Sequence, residues 1–240
     1  MAMLRIENLT KHYPGSDKGV TDLSLHIERG DLYAFIGHNG AGKTTTLKSV
    51  VGIHDFEAGE IYVDCVSIKE NPIECKRRFA YIPDNPDLYE YLTGIQYLNF
   101  IADVFAVSAE DRQTRIKKYA DAFEITASLG DLISTYSHGM KQKLAIISAL
   151  VHEPKLLILD EPFVGLDPKA AVTVKEIMKQ LCDAGGAVFF STHVLEVAEK
   201  LCNKVAIIKD GRIVVSGQMS EIVKPGQDLE AIFMEVAVNA

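Results

Sequence analysis

A chain of 240 residues, 48% hydrophobic and 24% charged, carries enough apolar surface for one well-packed domain or two small ones, which argues for a packed core and against disorder. A formal net charge of -8 argues against a broad phosphate-binding face, so no nucleic-acid partner is expected. No apolar run approaches the roughly 20 residues that a bilayer requires, and residues 144–151, among the longest, are of helix-core length.

The N-terminal stretch MAMLRIENL has no charged region ahead of a long apolar segment, so no signal peptide is expected and any membrane role is expected to run through a partner. Residues 4–7 and 23–28 alternate apolar and polar side chains, the pattern of half-buried strands. Gly30 and Asp31 read as a turn, and residues 32–36 are continuously apolar, as in a strand covered on both faces. A helix is predicted over 43–52, a further β segment over 59–68 and a short strand over 79–82. Lys76, Arg77 and Arg78 form a local basic cluster that reads as a solvated face. From about residue 85 to 151 the period turns helical, with Tyr97, Phe100, Ile101, Val104 and Phe105 on one stripe and Met140, Leu144, Ile147 and Val151 on another. The β/α alternation then resumes: a buried strand over 156–159, a helix over 169–182, a strand over 186–191 and a helix face through Val194, Val197, Ala198 and Leu201. Asp210-Gly211 between two apolar runs predicts a hairpin.

The expected fold class is α/β, a mainly parallel sheet core with an N-terminal antiparallel β part and an inserted helical subdomain. The sheet core is assigned to about 1–84 and 152–224, the helical subdomain to about 85–151 and a short tail to 225–240. Cys65, Cys75, Cys182 and Cys202 form no Cys-x-x-Cys pair and read as reduced core or surface thiols, not as metal ligands.

Residues 37–44, Gly-His-Asn-Gly-Ala-Gly-Lys-Thr, match the Gly-x-x-x-x-Gly-Lys-Thr phosphate loop of P-loop nucleotide-binding proteins. Gly37, Gly40 and Gly42 let the backbone turn its N–H groups toward phosphate oxygens, and the helix that follows points its positive end at the same anion. Asn39 and Thr45 are counted with them as nucleotide-binding positions. Lys43 supplies a cation to the β- and γ-phosphates, and the Thr44 hydroxyl suits Mg²⁺, which prefers oxygen. The pattern follows a buried strand and opens a helix, the context it requires. The apolar run 156–159 ends in Asp160 and Glu161, and sites in parallel sheets form at the carboxyl ends of strands. Asp160 is expected to hold Mg²⁺, and Glu161 to face the attacking water as general base.

Further residues narrow the family. Residues 136–142, Tyr-Ser-His-Gly-Met-Lys-Gln, resemble the Leu-Ser-Gly-Gly-Gln signature of ATP-binding cassette (ABC) proteins, Gly165-Leu166-Asp167 stand where that family has its D-loop, and Ser191-Thr192-His193 where it has its switch histidine. Their order and spacing match the family from residue 4 to about 220, with the overall character of bacterial exporter-type ATPase subunits. The resemblance implies ATP and Mg²⁺ as ligands and ATP hydrolysis as the activity, with Tyr13 stacking on adenine and His193 contacting the γ-phosphate. It also implies a head-to-tail dimer, homomeric or heteromeric, in which Ser137 and Gly139 of one subunit meet the nucleotide on the other and Asp167 works across the interface. It further implies an integral membrane transporter subunit as partner, and a place at the cytoplasmic face of the membrane. Leu88, Tyr89 and Tyr91 are candidates for the groove that receives the membrane subunit, or else core of the helical part.

Two positions depart from the family pattern. Asp84 stands where Gln is usual; it remains a possible Mg²⁺ ligand, adds negative charge near the γ-phosphate, and has a turn-capping role as its alternative. In the signature His138 replaces Gly and Met140 replaces Gln. Three other classes compete: a soluble ABC protein of translation or DNA repair, argued against by the single cassette and acidic charge; a small P-loop kinase, argued against by the signature and His193; and a nucleotide-dependent switch with weak turnover, which Asp84 keeps open.

Overall fold

The computed structural model describes residues 2–15 and 18–238. β1 (Ala2–His12) and β2 (Gly19–Glu28) pair antiparallel, and β1 also pairs with β4 (Ala58–Val63), which turns through Asp64 and Cys65 into β5 (Val66–Ser67). Both turn residues have positive φ, 47° and 66°, so the single β segment predicted over 59–68 is a tight hairpin. The order of this sheet is β2-β1-β4-β5.

The second sheet is built from β3 (Leu32–Ile36), β6 (Phe79–Ile82), β7 (Leu156–Asp160), β8 (Ala187–Thr192), β9 (Lys204–Lys209) and β10 (Arg212–Gln218), in the order β10-β9-β3-β8-β7-β6. All pairings are parallel except β10 with β9, the hairpin whose turn is Asp210 (φ 46°) and Gly211 (φ 75°). Every residue of β3, β7 and β8 is buried, as a sheet covered on both faces demands. Side chains alternate between faces, and this parity divides the core in two. Tyr33, Phe35, Leu156, Ile158 and Phe189 pack toward the antiparallel sheet and α1 (Lys43–Val50). Ala34, Ile36, Leu157, Leu159, Val188 and Phe190 pack toward the other helices.

Between β6 and β7 lie α3 (Gly94–Val104), α4 (Ala109–Ala122), two short 3-10 turns and α5 (His138–Leu150). Each helix begins on a side-chain cap: Thr93 with Gln96 in a reciprocal capping box, Ser108, and Ser137. The sequence reading did not find α4, because only Ile116 and Ala120 of it are buried and so thin a stripe leaves a weak period. α6 (Pro168–Asp183) starts on the Asp167 cap with Pro at its first position, and α7 (Leu195–Leu201) follows β8.

Two further short helices, α2 (Pro72–Lys76) and α8 (Met219–Ile222), also lay outside the predicted elements. The stretch read as a tail from 225 folds as α9 (Leu229–Val238), with Leu229 fully buried and Phe233 nearly so; residues 239–240 lie outside the described residues. Within the basic cluster, Arg78 is not merely solvated. It joins Arg29 and Lys155 in bonding to Asp64, and together these cations hold the Asp64 carboxyl below the usual range. No disulfide joins the four cysteines; Cys75, Cys182 and Cys202 are buried and burial raises their thiols well above the usual value.

Candidate functional site

The parallel register brings four strand ends to one edge. Ile36 pairs with Thr192, Asp160 with Ser191 and Ile82 with Leu159, so the chain leaves the sheet at Gly37, His193, Glu161 and Pro83 side by side. A cleft of about 250 Å³ opens there, lined by residues of the 37–45 loop together with Tyr13, Asp84, Asp160 and Glu161.

The loop is held from below. Gly42 sits at φ 112°, and a Cβ there would lie 2.7 Å from Val20 Cγ1, so both its backbone angle and its packing require glycine. Among the described residues no side chain caps α1 at this end, which leaves the first-turn N–H groups facing the cleft. Lys43 folds back inside the loop and donates to the carbonyls of Gly37 (2.8 Å) and His38 (3.4 Å). Its ammonium is also 3.9 Å from Glu161 Oε1. Burial lowers the Lys43 pKa, and the charges of Glu161 and Asp160 partly oppose that shift. Asn39 and Gly40 are exposed on the rim of the cleft.

Asp160 is buried and receives two hydroxyl donors, Thr44 Oγ1 at 2.7 Å on one oxygen and Ser191 Oγ at 2.5 Å on the other. Ser191 Oγ also accepts from the Glu161 N–H at 3.2 Å, so one hydroxyl ties both acidic residues to the end of β8. Glu161 itself has φ 48°, a left-handed backbone that turns its side chain off the strand line and over the cleft. Its Oε2 lies 2.9 Å from His193 Nδ1. A carboxylate only accepts, so that contact places the ring proton on Nδ1 and leaves Nε2 facing outward. Thr44, Asp160 and Asp84 offer a hydroxyl and two carboxylates to one cleft. All are oxygen donors, and a magnesium ion suits such a set when one or two carboxylates are completed by phosphate and water. The Asp84 carboxylate is exposed, and among the described residues it makes no hydrogen bond or ion pair that would cap its own turn. Tyr81 has a buried hydroxyl without a partner among the described residues, and its ionisation is pushed well up by burial and by the charges of Asp160 and Asp84.

Tyr13 stands at the mouth of the cleft, its hydroxyl 3.2 Å from Thr45 Oγ1 and its ring edge-on to His54 at 5.8 Å between centroids. Ser137 and Gly139 are not among the residues that line the cleft. They sit at the start of α5, where Ser137 Oγ accepts from the Met140 N–H at 3.3 Å. The His138 ring fills the space over Gly165, whose added Cβ would fall 2.4 Å from His138 Cδ2, and Lys143 reaches Asp167 at 2.7 Å. The signature segment and the 165–167 turn therefore pack on each other within one chain.

Sequence reasoning passed over Ser191 as a site residue. Its register opposite Asp160 is a property of strand order, which residue patterns do not carry. The signal that was available was its place in Ser191-Thr192-His193, one residue from the end of a buried strand.

Comparison with known proteins identifies the family. The family model described as ABC transporter matches residues 20–164. The ABC-type transporter ATP-binding protein EcsA of Bacillus subtilis is 34% identical over 222 residues, covering 92% of this chain and 90% of its own length. A solved ATP-binding subunit of an ABC transporter superposes with a TM-score of 0.93 at 33% identity, over 98% of this chain and 99% of that one. The dimeric ATP-binding cassette MJ0796, in a post-hydrolysis state bound to ADP and Pi, shares the fold with a TM-score of 0.82 at 23% identity, over 90% and 99% of the two chains. The phosphate-loop fold, the acidic strand end and the extent of these matches together make the chain a member of the ABC transporter family, as one of its ATP-binding subunits.

Proposed function

We propose that this subunit binds ATP with Mg²⁺ in the cleft at the strand ends, hydrolyses it, and uses the resulting opening and closing of a head-to-tail dimer to move a separate membrane-spanning subunit. The convergence of Lys43, Thr44, Asp160, Glu161 and His193 on one edge of the parallel sheet carries this reading. Thr44, Asp160 and Asp84 are the residues that would hold Mg²⁺, which when bound neutralises charge on the phosphate oxygens.

The remaining chemistry belongs to the chain. The first-turn N–H groups of α1 and the Lys43 ammonium orient the β- and γ-phosphates. To do so Lys43 exchanges its carbonyl partners, Gly37 and His38, for phosphate oxygens. Glu161 accepts a proton from a water that attacks the γ-phosphorus, while the bond from that phosphorus to the β-phosphate oxygen breaks and ADP leaves. The His193 contact holds the Glu161 side chain; on closure the outward His193 Nε2 is the atom available to the γ-phosphate. Tyr13 supplies a ring for the adenine, and Asn39, Gly40 and Thr45 complete the loop around the phosphates.

Ser137 and Gly139 lie off the cleft of their own chain, which suits a role toward a second subunit's nucleotide. As the first groups of α5, the His138 and Gly139 N–H groups have no intrahelical acceptor and are oriented to meet an anion. A dimer so formed closes through its ligand, and the MJ0796 cassette, dimeric and bound to ADP and Pi, is a precedent for a dimer in this fold.

No helix among the described residues is long and apolar enough to cross a membrane, so a transport role calls for a partner. The surface suited to it is the aromatic group beside α3: Tyr89 and Tyr91 are exposed and stack at 5.9 Å, with Phe100 also exposed next to Tyr89. Leu88 does not belong to that surface, because it is buried in the hydrophobic core. In this reading the subunit works at the cytoplasmic face of the membrane.

The test is Glu161→Gln with ATP and Mg²⁺. Removing the base without removing its volume is expected to cut turnover by roughly 10²–10⁴-fold and to accumulate dimer in size-exclusion chromatography. A variant that remains monomeric while binding nucleotide would sink the dimer reading, and one that turns over at the unsubstituted rate would remove Glu161 from its role.

A further inference from the structure

We propose that Phe233, on the C-terminal helix α9, is a positioning residue for the phosphate loop and acts through the ring of His38. The proposal rests on the reading of residues 37–44 as the nucleotide site and adds to it a support from the far end of the chain. The Phe233 and His38 rings lie 4.8 Å apart between centroids with 56° between their planes, within the range of a favourable aromatic pair. His38 is exposed on the loop, whereas Phe233 is only 8% exposed, so the histidine rests on a fixed floor.

The His38 backbone is where that contact becomes consequential. Its carbonyl accepts from the Ala41 N–H at 3.1 Å, which closes the turn of the loop, and from Lys43 Nζ at 3.4 Å. A shift of His38 therefore displaces both the turn that presents N–H groups and the resting place of the ammonium. The start of α9, one turn before Phe233, is tied down as well. Leu229 is fully buried and its N–H donates to Glu199 Oε2 at 2.8 Å, and Asp228 Oδ1 accepts from the Ala231 N–H at 2.7 Å. Leu229 and Phe233 are one turn apart and share a face. Glu199 belongs to α7, the helix that starts two residues after His193. The helix thus bridges the segment after β3 and the segment after β8, two of the four strand ends that form the cleft.

The experiment measures affinity for a fluorescent ADP analogue with Mg²⁺ by anisotropy, and kcat and KM for ATP, on the full chain and on Phe233→Leu, His38→Ala and the double variant. Leucine keeps the burial of α9 and removes the ring. Phe233→Leu is expected to weaken nucleotide affinity and raise KM about two- to tenfold, the scale of one aromatic pair, with kcat at saturating ATP changed less. His38→Ala is expected to do the same. The double variant is expected to be no weaker than the worse single by more than about twofold, because both remove one contact. A merely structural Phe233 would lower the melting temperature and leave affinity alone. Affinity of Phe233→Leu within about twofold of the unsubstituted chain, or losses that multiply in the double variant, would overturn the proposal. Should Phe233→Leu fail to fold, Phe233→Met takes its place with the same two criteria. Failure of the unsubstituted chain to bind nucleotide would overturn the ATP-site reading and this proposal with it; normal binding with an unaffected Phe233 variant overturns this proposal alone.

Discussion

Ser191→Ala tests whether one hydroxyl organises the acidic end of the cleft. Ser191 is fully buried, and its Oγ–H donates to Asp160 at 2.5 Å while accepting from the Glu161 N–H at 3.2 Å. Alanine removes a hydrogen bond to a buried carboxylate, about 1.5–3 kcal/mol, and leaves Asp160 with Thr44 as its remaining hydroxyl donor. The Glu161 N–H keeps the Ser191 carbonyl at 3.2 Å, so the strand end stays in register. A loss near 2 kcal/mol in a chain of this size lowers the melting midpoint by about 4–8 °C. Ser49→Ala is the matched control. Ser49 is equally buried, but its hydroxyl bonds a neutral helix carbonyl, that of Thr45, at 2.9 Å, and alanine is the better helix former. Its expected change is under about 1 kcal/mol, or about 2 °C. Thermal melts of both variants side by side, without nucleotide, decide the matter. Equal midpoints for the two would show that the Ser191–Asp160 bond carries no special weight, and the account of how β8 positions the acidic pair would fail.

Asp84→Asn keeps an oxygen ligand for Mg²⁺ and removes a negative charge from the cleft, so it is expected to raise the turnover rate about two- to tenfold at saturating Mg²⁺, with a smaller gain in high salt; an unchanged rate would mean that the charge carries no weight, and a lower one that Mg²⁺ needs the carboxylate and not only its oxygen. His138→Gly is expected to change the ATPase rate by less than about tenfold, because the ring packs on Gly165 and does not line the cleft; complete loss would make His138 a required phosphate contact. Stability is expected to fall as the pH drops from about 6.5 toward 4. His152 is stacked on Phe105 at 3.7 Å, its Nε2 contacts the Phe79 carbonyl, its Nδ1 is buried without a partner among the described residues, and burial depresses its pKa to about 4. The unfolded chain therefore binds a proton in that window and the folded chain does not, so the contribution is complete above pH 6.5 and drains below it, to a total of about 3 kcal/mol. Urea midpoints at pH 7.5 and 5.0 for the unsubstituted chain and His152→Phe check this; the same pH slope in both would assign the effect to other groups.

Much of the site was legible in the residues because its chemistry is local. A phosphate loop needs its glycines, its lysine and its hydroxyl within eight consecutive positions, and Gly37 through Thr44 supply them in a row. A carboxylate pair at the end of a buried strand is likewise a short pattern, and Asp160-Glu161 closes one. Strong helix periods and the Asp210-Gly211 hairpin were readable for the same reason. The helices that escaped were α4, whose apolar stripe is thin, α2 and α8, which span only five and four residues, and α9, which is apolar on nearly every side and so shows no clear period.

Other features depend on which elements end up beside each other. Ser191 becomes the partner of Asp160 because β8 is inserted between β3 and β7, an order that no segment of the sequence displays by itself. Leu88 and Tyr89 are adjacent in the chain, yet one enters the core and the other faces solvent beside Tyr91, a choice made only in the folded chain. His38 meets Phe233 across 195 positions because α9 folds back over the strand ends. Residue identities determined the chemistry available to this protein, since the groups that grip a triphosphate lie within a few bonds of one another. Only the tertiary structure decided which distant groups support them, since strand order and helix docking are set by burial summed over the whole chain.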